Sequence, residues 1–522
     1  MNQVFEQRLG ALLTRGDTSV AGGRRGVEKE SLRVTSDGYL AQTPHPRALG
    51  SALTNQFITT DFSEALLEFV TPALGSTWEA LQVVCDIHQF TYQRLDDELL
   101  WCASMPCRLP ADPDIPLARY GDSNVGRMKT IYRRGLGHRY GRNMQTIAGV
   151  HFNYSLPESF WPGYRELLAE DVDDNEFRSI HYLGLIRNFR RFGWIVLYLF
   201  GASPALCKSF GGGSARSMPA LDSKTWYEPY GTSLRMSDLG YNNKTQAGIT
   251  ISLNRLDEYI RDLGEAIRTP EPAYEKIGVI QNGEYQQLNT NKLQIENEYY
   301  SPIRPKRVAH SGERPTAALR RGGIEYVEIR SLDLNIFDPA GINQNAMRFI
   351  EAFLIYCLLE ESPPFDAGSL EEAIRNQSLT AKRGREPGLQ LQRDGKPVYL
   401  SDWAREIVGK VEAVAELIDR HEDDGSYRDS VSVAAAHVAE PDSTPSARLL
   451  QELRDSKSSF FEFALDLARR HKAYFSSIAP MPSERAQRME SEAVESIQRQ
   501  RDIEAVDDMD FEDYLARYFA SG

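Results

Sequence analysis

Several short apolar runs in the first two thirds of this chain carry an acid or an imidazole in alternation with residues a sheet would bury, and that pattern restricts what the chain can fold into. In a strand, residues two apart point to the same side. The run GVEKESLRV therefore puts Glu28 and Glu30 on one face with Leu32 and Val34, and ALLEFVTP puts Glu68 with Leu66 and Val70. In GVHFNYSL, His151, Asn153 and Ser155 form a polar face opposite Val150, Phe152 and Tyr154. In GIEYVEIRSLDLN, Tyr326, Glu328 and Arg330 line one face, Val327 and Ile329 the other. One isolated pair of acids reads as surface charge. Its recurrence on successive apolar strands gathers like charges on one sheet face, which becomes tolerable if divalent cations bridge them. Oxygen-rich sets with an occasional imidazole suit Mg²⁺ or Mn²⁺ rather than zinc. Asp61, in the turn-like TTDFSEA, reads equally as a further ligand or as the N-cap of a helix starting at Phe62.

Several metals imply a polyphosphate substrate, whose oxygens the ions neutralise during transfer. The chain has no GxxxxGK[ST] string, and the glycine-rich stretches GLGHRYG at 135–141 and GGGS at 211–214 fit neither a phosphate loop nor a dinucleotide fingerprint. Metals and arginines must then hold the phosphates. Arg330, and Arg235 in TSLRMSDLGY, are candidates for planar recognition of phosphate or carboxylate, the alternative for each being a salt bridge to a neighbouring acid.

Bulk properties remove other classes. With 60 basic against 74 acidic residues, a net charge of −14, the chain has no overall positive field for a nucleic acid. The five cysteines, Cys85, Cys102, Cys107, Cys207 and Cys357, are odd in number and show no metal-type spacing, so neither a zinc site nor a disulfide framework is expected, and a reducing cytoplasm is the simplest location. The N-terminal MNQVFEQRLGALLTRG lacks the apolar core of an export signal. The stretch FGWIVLYLFGASPALC, Phe192 to Cys207, is too short to span a membrane and predicts a buried helix ended by Gly201 and Pro204.

From about residue 20 to 360, strand-like runs, GITISL at 248–253 among them, alternate with helical segments. Beyond 360 the apolar spacing becomes helical. We expect a sheet-based catalytic region at 1–360 and a mainly helical region at 361–522 packed on it. The charge-dense tail from Ser483 onward predicts a solvated surface helix.

The strings RGVEKESLRV, HPRALGSALTNQFITTDFSEALLEFVTP, YGDSNVGRMKTIYRRGLGHRYGRNMQTIAGVHFNYSLP, RRFGWIVLYLFGASPALC, TSLRMSDLGYNNK, QIENEYYSPIRPKR and RGGIEYVEIRSLDLN, in this order, closely resemble the bacterial glutamate cysteine ligases (gamma-glutamylcysteine synthetases) in their gammaproteobacterial form. The resemblance implies an α+β, glutamine-synthetase-like fold: a curved, mostly antiparallel sheet with helices on its outer side and its concave face turned to ATP and Mg²⁺. It implies ligation of glutamate to cysteine as the first step of glutathione biosynthesis, with glutathione as feedback inhibitor. Carried over by motif, the metal ligands are Glu28, Glu30, Asp61, Glu68, His151 and Glu328, the set that strand parity selects together with the turn residue Asp61. Arg235 is expected to hold the α-carboxylate of glutamate and Arg330 to lie against the ATP phosphates. With Glu328, these two arginines form the expected catalytic set. The cysteine pocket is expected from Phe62, Tyr132, Arg133, Leu136, Gln145, Tyr241 and Tyr300, with core packing as the alternative for each aromatic and for Leu136. A different amine acceptor, or a non-catalytic binding paralogue, are the competing readings. The second predicts loss of an acid from the metal face, and all six ligands are present.

Overall fold

The computed structural model describes residues 3–16, 19–210, 217–240, 248–310, 312–422 and 424–520. At its centre is an open seven-stranded sheet. Its strands are β1 (Arg24–Val34), β2 (Ile58–Thr60), β3 (Leu66–Val70), β4 (Leu99–Leu100), β5 (Val150–Ser155), β6 (Ile303–Lys306) and β7 (Tyr326–Leu332). They run in the order β6-β7-β5-β1-β3-β2, with β4 on the end of β1, and every pairing in the sheet is antiparallel. The register sets Glu30 opposite Glu68, Glu28 opposite His151 and Glu328 opposite Asn153, so the parity read along each strand becomes one shared face.

The other face is apolar and covered by helices. Val27, Leu67, Phe69, Phe152, Val327 and Ile329 are buried there, beneath the helices Thr77–Tyr92, Asp174–Phe192 and Gln344–Leu359. The segment after Phe192 forms the buried helix Trp194–Phe200, closed at Gly201 as the sequence predicts. Among the described residues no helix is long and apolar enough to cross a membrane. Beyond residue 360 helices dominate, broken by a hairpin at Gln390–Arg393 and Lys396–Tyr399.

Three expectations are corrected. GITISL forms no strand: Ile251 and Leu253 enter the core, while the Ser252 amide and hydroxyl donate to Asp262 (2.8 Å) and Glu258 (2.6 Å), so side chains of the following helix replace a strand ladder. Asp61 caps no helix, because the chain from β2 turns directly into β3. Cys107 and Cys207 form a disulfide with Cα atoms 5.5 Å apart. They are 100 residues apart in sequence, so their approach depends on tertiary packing that spacing alone does not encode, and the cysteine count gives no guide to compartment. The tail forms the expected surface helix, most of it exposed, and it also straps the body of the protein. In Ser483–Val506, the Ser496 hydroxyl accepts from the Ser51 amide at 3.0 Å and Glu492 from the Gln56 amide at 2.8 Å, and beyond it Asp507 accepts from Asn124 Nδ2 at 2.7 Å.

Candidate active site

The acidic face of the sheet floors a cavity of about 640 Å³. Glu28, Glu30, Asp61, Glu68, His151 and Glu328 all line it, as do Arg330, Phe62, Tyr132, Arg133, Leu136, Gln145 and Tyr300. Tyr241 lies outside the described residues. Arg235 is the exception: it is 1% exposed and is not among the residues that line the cavity. Its Nη2 donates to the Arg330 carbonyl at 2.9 Å, and its Nη1 approaches the Met236 sulfur, which also accepts from the Tyr300 hydroxyl at 3.1 Å. The guanidinium packs so closely on Gly149 that any side chain at that position collides with it.

Within the acid group, His151 Nδ1 meets Glu28 Oε2 at 3.0 Å and Asn153 Nδ2 donates to Glu28 Oε1 at 2.9 Å. Burial is the largest single influence on the Glu28 carboxyl and raises it, but the hydrogen bond and charge of His151 together with the charge of Lys306 outweigh it, and the group lies below the usual carboxylate range. The Gly149 amide donates to Glu30 at 2.7 Å, yet burial still raises that carboxyl. Burial, together with the charges of Glu28, Asp61 and Glu30, pushes Glu68 well above its ordinary value. Glu328 goes the other way: burial opposes its ionisation, and Lys306, Arg330 and Arg304 override burial. Arg330 Nη1 lies 3.2 Å from Glu328 Oε1 and Lys306 Nζ 3.5 Å from Oε2. Arg330 sits in a register shift between Ile329 and Leu332, a bulge of the kind that aims a side chain into a site.

The donor set fits a divalent cation. Ligand atoms of Glu28, Glu68 and His151 all lie within 4.8 Å of one another. Glu30 and Glu68 oppose each other directly across two strands, an arrangement that costs stability unless a cation intervenes. Hard oxygen donors with one imidazole suit Mg²⁺ or Mn²⁺.

The opposite wall comes from the helix Asn124–Tyr140 and from the far C-terminus. Lys129, Arg139 and Tyr140 line the cavity with Tyr132, Arg133 and Leu136, and helical spacing from those three was the signal that would have found them. Glu298 accepts from Arg139 Nη1 at 2.9 Å and from the Tyr140 hydroxyl at 2.8 Å. Tyr514 and Tyr518, from the helix Phe511–Ala520, complete this wall. Met128, Ile131, Phe511 and Leu515 pack together behind them. No local pattern in that charged tail pointed to the two tyrosines.

A buried acid cluster able to collect divalent cations, with arginine and lysine along one edge, defines an enzyme site for anionic substrates. The chain belongs to the glutamate-cysteine ligase family, whose model matches residues 11–380. The glutamate–cysteine ligase of Alcanivorax borkumensis is 49% identical over 99% of this chain and 99% of its own, and that of Pseudomonas entomophila is 49% identical over 95% and 93%. The crystal structure of glutamate–cysteine ligase from Francisella tularensis in complex with AMP matches with a TM-score of 0.90 at 36% identity, covering 96% of this chain and 98% of that one.

Proposed function

We propose that the acid-lined cavity carries out the family's reaction with the residues named above in distinct roles. The reaction is the ATP-dependent formation of gamma-glutamylcysteine, the first step of glutathione synthesis. The observation that supports this assignment of roles is the convergence of all six ligand-type side chains and Arg330 on one cavity.

A carboxylate oxygen is a poor leaving group, so the γ-carboxylate of glutamate first attacks the γ-phosphorus of ATP, releasing ADP and giving γ-glutamyl phosphate. The amine of cysteine then attacks the acyl carbon and phosphate departs. Bound Mg²⁺, held by Glu28, Glu30, Asp61, Glu68, His151 and Glu328, would neutralise charge on the phosphoryl oxygens. Arg330 faces the phosphates, and Glu328 holds its guanidinium in place. Phe62, Tyr132, Arg133, Leu136, Gln145 and Tyr300 surround the cysteine. We take residues 1–360 as the catalytic region and 361–522 as packed on it, reaching back through Tyr514 and Tyr518. Glutathione, which contains the same glutamyl and cysteinyl groups, fits as feedback inhibitor, and the cytoplasm as location.

The test is phosphate release with glutamate, ATP and Mg²⁺, comparing cysteine with 2-aminobutyrate, alanine and simple amines, the product identified by mass. Cysteine is expected to be fastest, with activity lost on chelation and restored by Mg²⁺. A faster amine overturns the acceptor assignment, and turnover in chelator overturns the metal assignment.

Arg235 has its own test. Arg235→Lys keeps the charge and loses the fork, so a direct contact with glutamate predicts a glutamate KM raised by about 10-fold or more with the ATP KM unchanged. Equal rises in both would show that Arg235 acts through the Arg330 carbonyl it holds.

A further inference from the structure

We propose that Lys129 is an acceptor-binding residue, its ammonium the counter-charge for the α-carboxylate of the amino acid that receives the glutamyl group. This rests on the ligase reading of the cavity and names the contact that selects an amino acid over a plain amine.

The helix Asn124–Tyr140 presents three cations to the cavity, Lys129, Arg133 and Arg139. Arg139 is neutralised by Glu298 at 2.9 Å. Arg133 is held by backbone carbonyls, its Nε donating to Asp61 and its Nη1 to Lys129 at 3.1 Å. Lys129 forms no ion pair among the described residues; its Nζ lies over the Tyr120 ring, 5.1 Å from the centroid. It is half-buried. Burial, followed by the charge of Arg133, lowers its pKa to about 8, against the pull of Glu68. A partly desolvated ammonium that lies over an aromatic face and has no carboxylate within ion-pair distance among the described residues gains from an anionic partner.

Sheet order decides which anion this is. Arg304, Lys306 and Arg330 gather round Glu328 on β6 and β7, at one edge of the sheet. Lys129 belongs to the other edge: Tyr120, beneath its ammonium, donates to the carbonyls of Thr60 (2.7 Å) and Asp61 (2.9 Å), where β2 turns into β3. The polyphosphate, with the most charge, belongs with the three cations. A single carboxylate suits the lone ammonium. Lys129 also shares its helical stripe with Tyr132, Arg133 and Leu136, which places it beside the acceptor rather than beside glutamate.

Cysteamine has the thiol and amine of cysteine without the carboxylate, so it isolates this contact. With glutamate and MgATP saturating, phosphate release is measured on both acceptors for wild type, Lys129→Met and Lys129→Arg. The expected result is a fall of about 10–100-fold in kcat/KM for cysteine in Lys129→Met, from loss of one charge-assisted contact. Cysteamine turnover and the KM values for ATP and glutamate stay within about twofold of wild type, and Lys129→Arg retains most of the cysteine preference. An equal fall on both acceptors, a raised ATP KM, or wild type that uses cysteamine as well as cysteine overturns the proposal. Absence of wild-type phosphate release with any amine would instead overturn the ligase reading, and this proposal with it.

Discussion

Glu328→Lys is expected to abolish ATP-dependent turnover, by at least about 10³-fold, while far-ultraviolet circular dichroism stays that of the folded chain. The carboxylate is 2% exposed and surrounded by Arg330 at 3.2 Å, Lys306 at 3.5 Å and Arg304. A lysine there adds a further cation to that group, removes a metal donor and releases the Arg330 fork. Because a buried charge reversal disturbs packing as well as chemistry, Glu328→Gln separates the two. It keeps the shape, and it is expected to lose at least about 10²-fold in kcat with little change in the unfolding midpoint. Glu28→Lys belongs to the same experiment, since it breaks the contacts with His151 and Asn153 and disturbs the opposite side of the acid group. Full activity in the folded variants would remove these residues from the metal set.

That acid group was legible in the sequence because strand alternation is local: Glu28 and Glu30, or Glu328 and Arg330, share a face in any strand whatever it pairs with. The register was not. That Glu30 meets Glu68, and Glu28 meets His151, depends on which strands become neighbours, and here residues 68 and 151 flank β1 from opposite sides. Where contacts are made across long stretches of sequence, the signal disappears. Cys107 and Cys207 meet through folding alone, and Tyr514 and Tyr518 reach the cavity from a tail whose composition resembles a solvated helix. Lys129 lies between these cases. Its spacing of three, four and seven from Tyr132, Arg133 and Leu136 was readable, but only the cavity shows which face of the helix turns inward. Asp61 shows how one polar residue before an apolar run supports two readings, and the tight passage from β2 into β3 excludes the cap.

Glu351→Ala is expected to destabilise the fold by about 3–5 kcal/mol, because it leaves Arg25 charged and buried without its counter-charge. Arg25 lies on β1 with the parity of Val27 and Lys29, so it points away from the acid group into the helical layer. Arg25 and Glu351 are 1% and 0% exposed, and Arg25 Nη2 donates to Glu351 Oε1. The Tyr427 hydroxyl, from the helix Ser426–Ala439, donates to Glu351 Oε2 at 2.9 Å. One carboxylate thus ties the central strand, the helix Gln344–Leu359 and a helix beyond residue 360. Burial works against the Arg25 charge, and Glu351 with Tyr427 and Tyr154 together overcome it, raising the guanidinium above its ordinary value. The pair as a whole need not be strongly stabilising, since two charges lose hydration to form it. The decisive measurement is therefore a double-mutant cycle by chemical denaturation. Glu351→Leu with Arg25→Met is expected to recover most of the stability lost in Glu351→Ala, because an apolar pair leaves no stranded charge. Equal losses in single and double variants would show that the contribution of Glu351 is packing and not the pairing of charge.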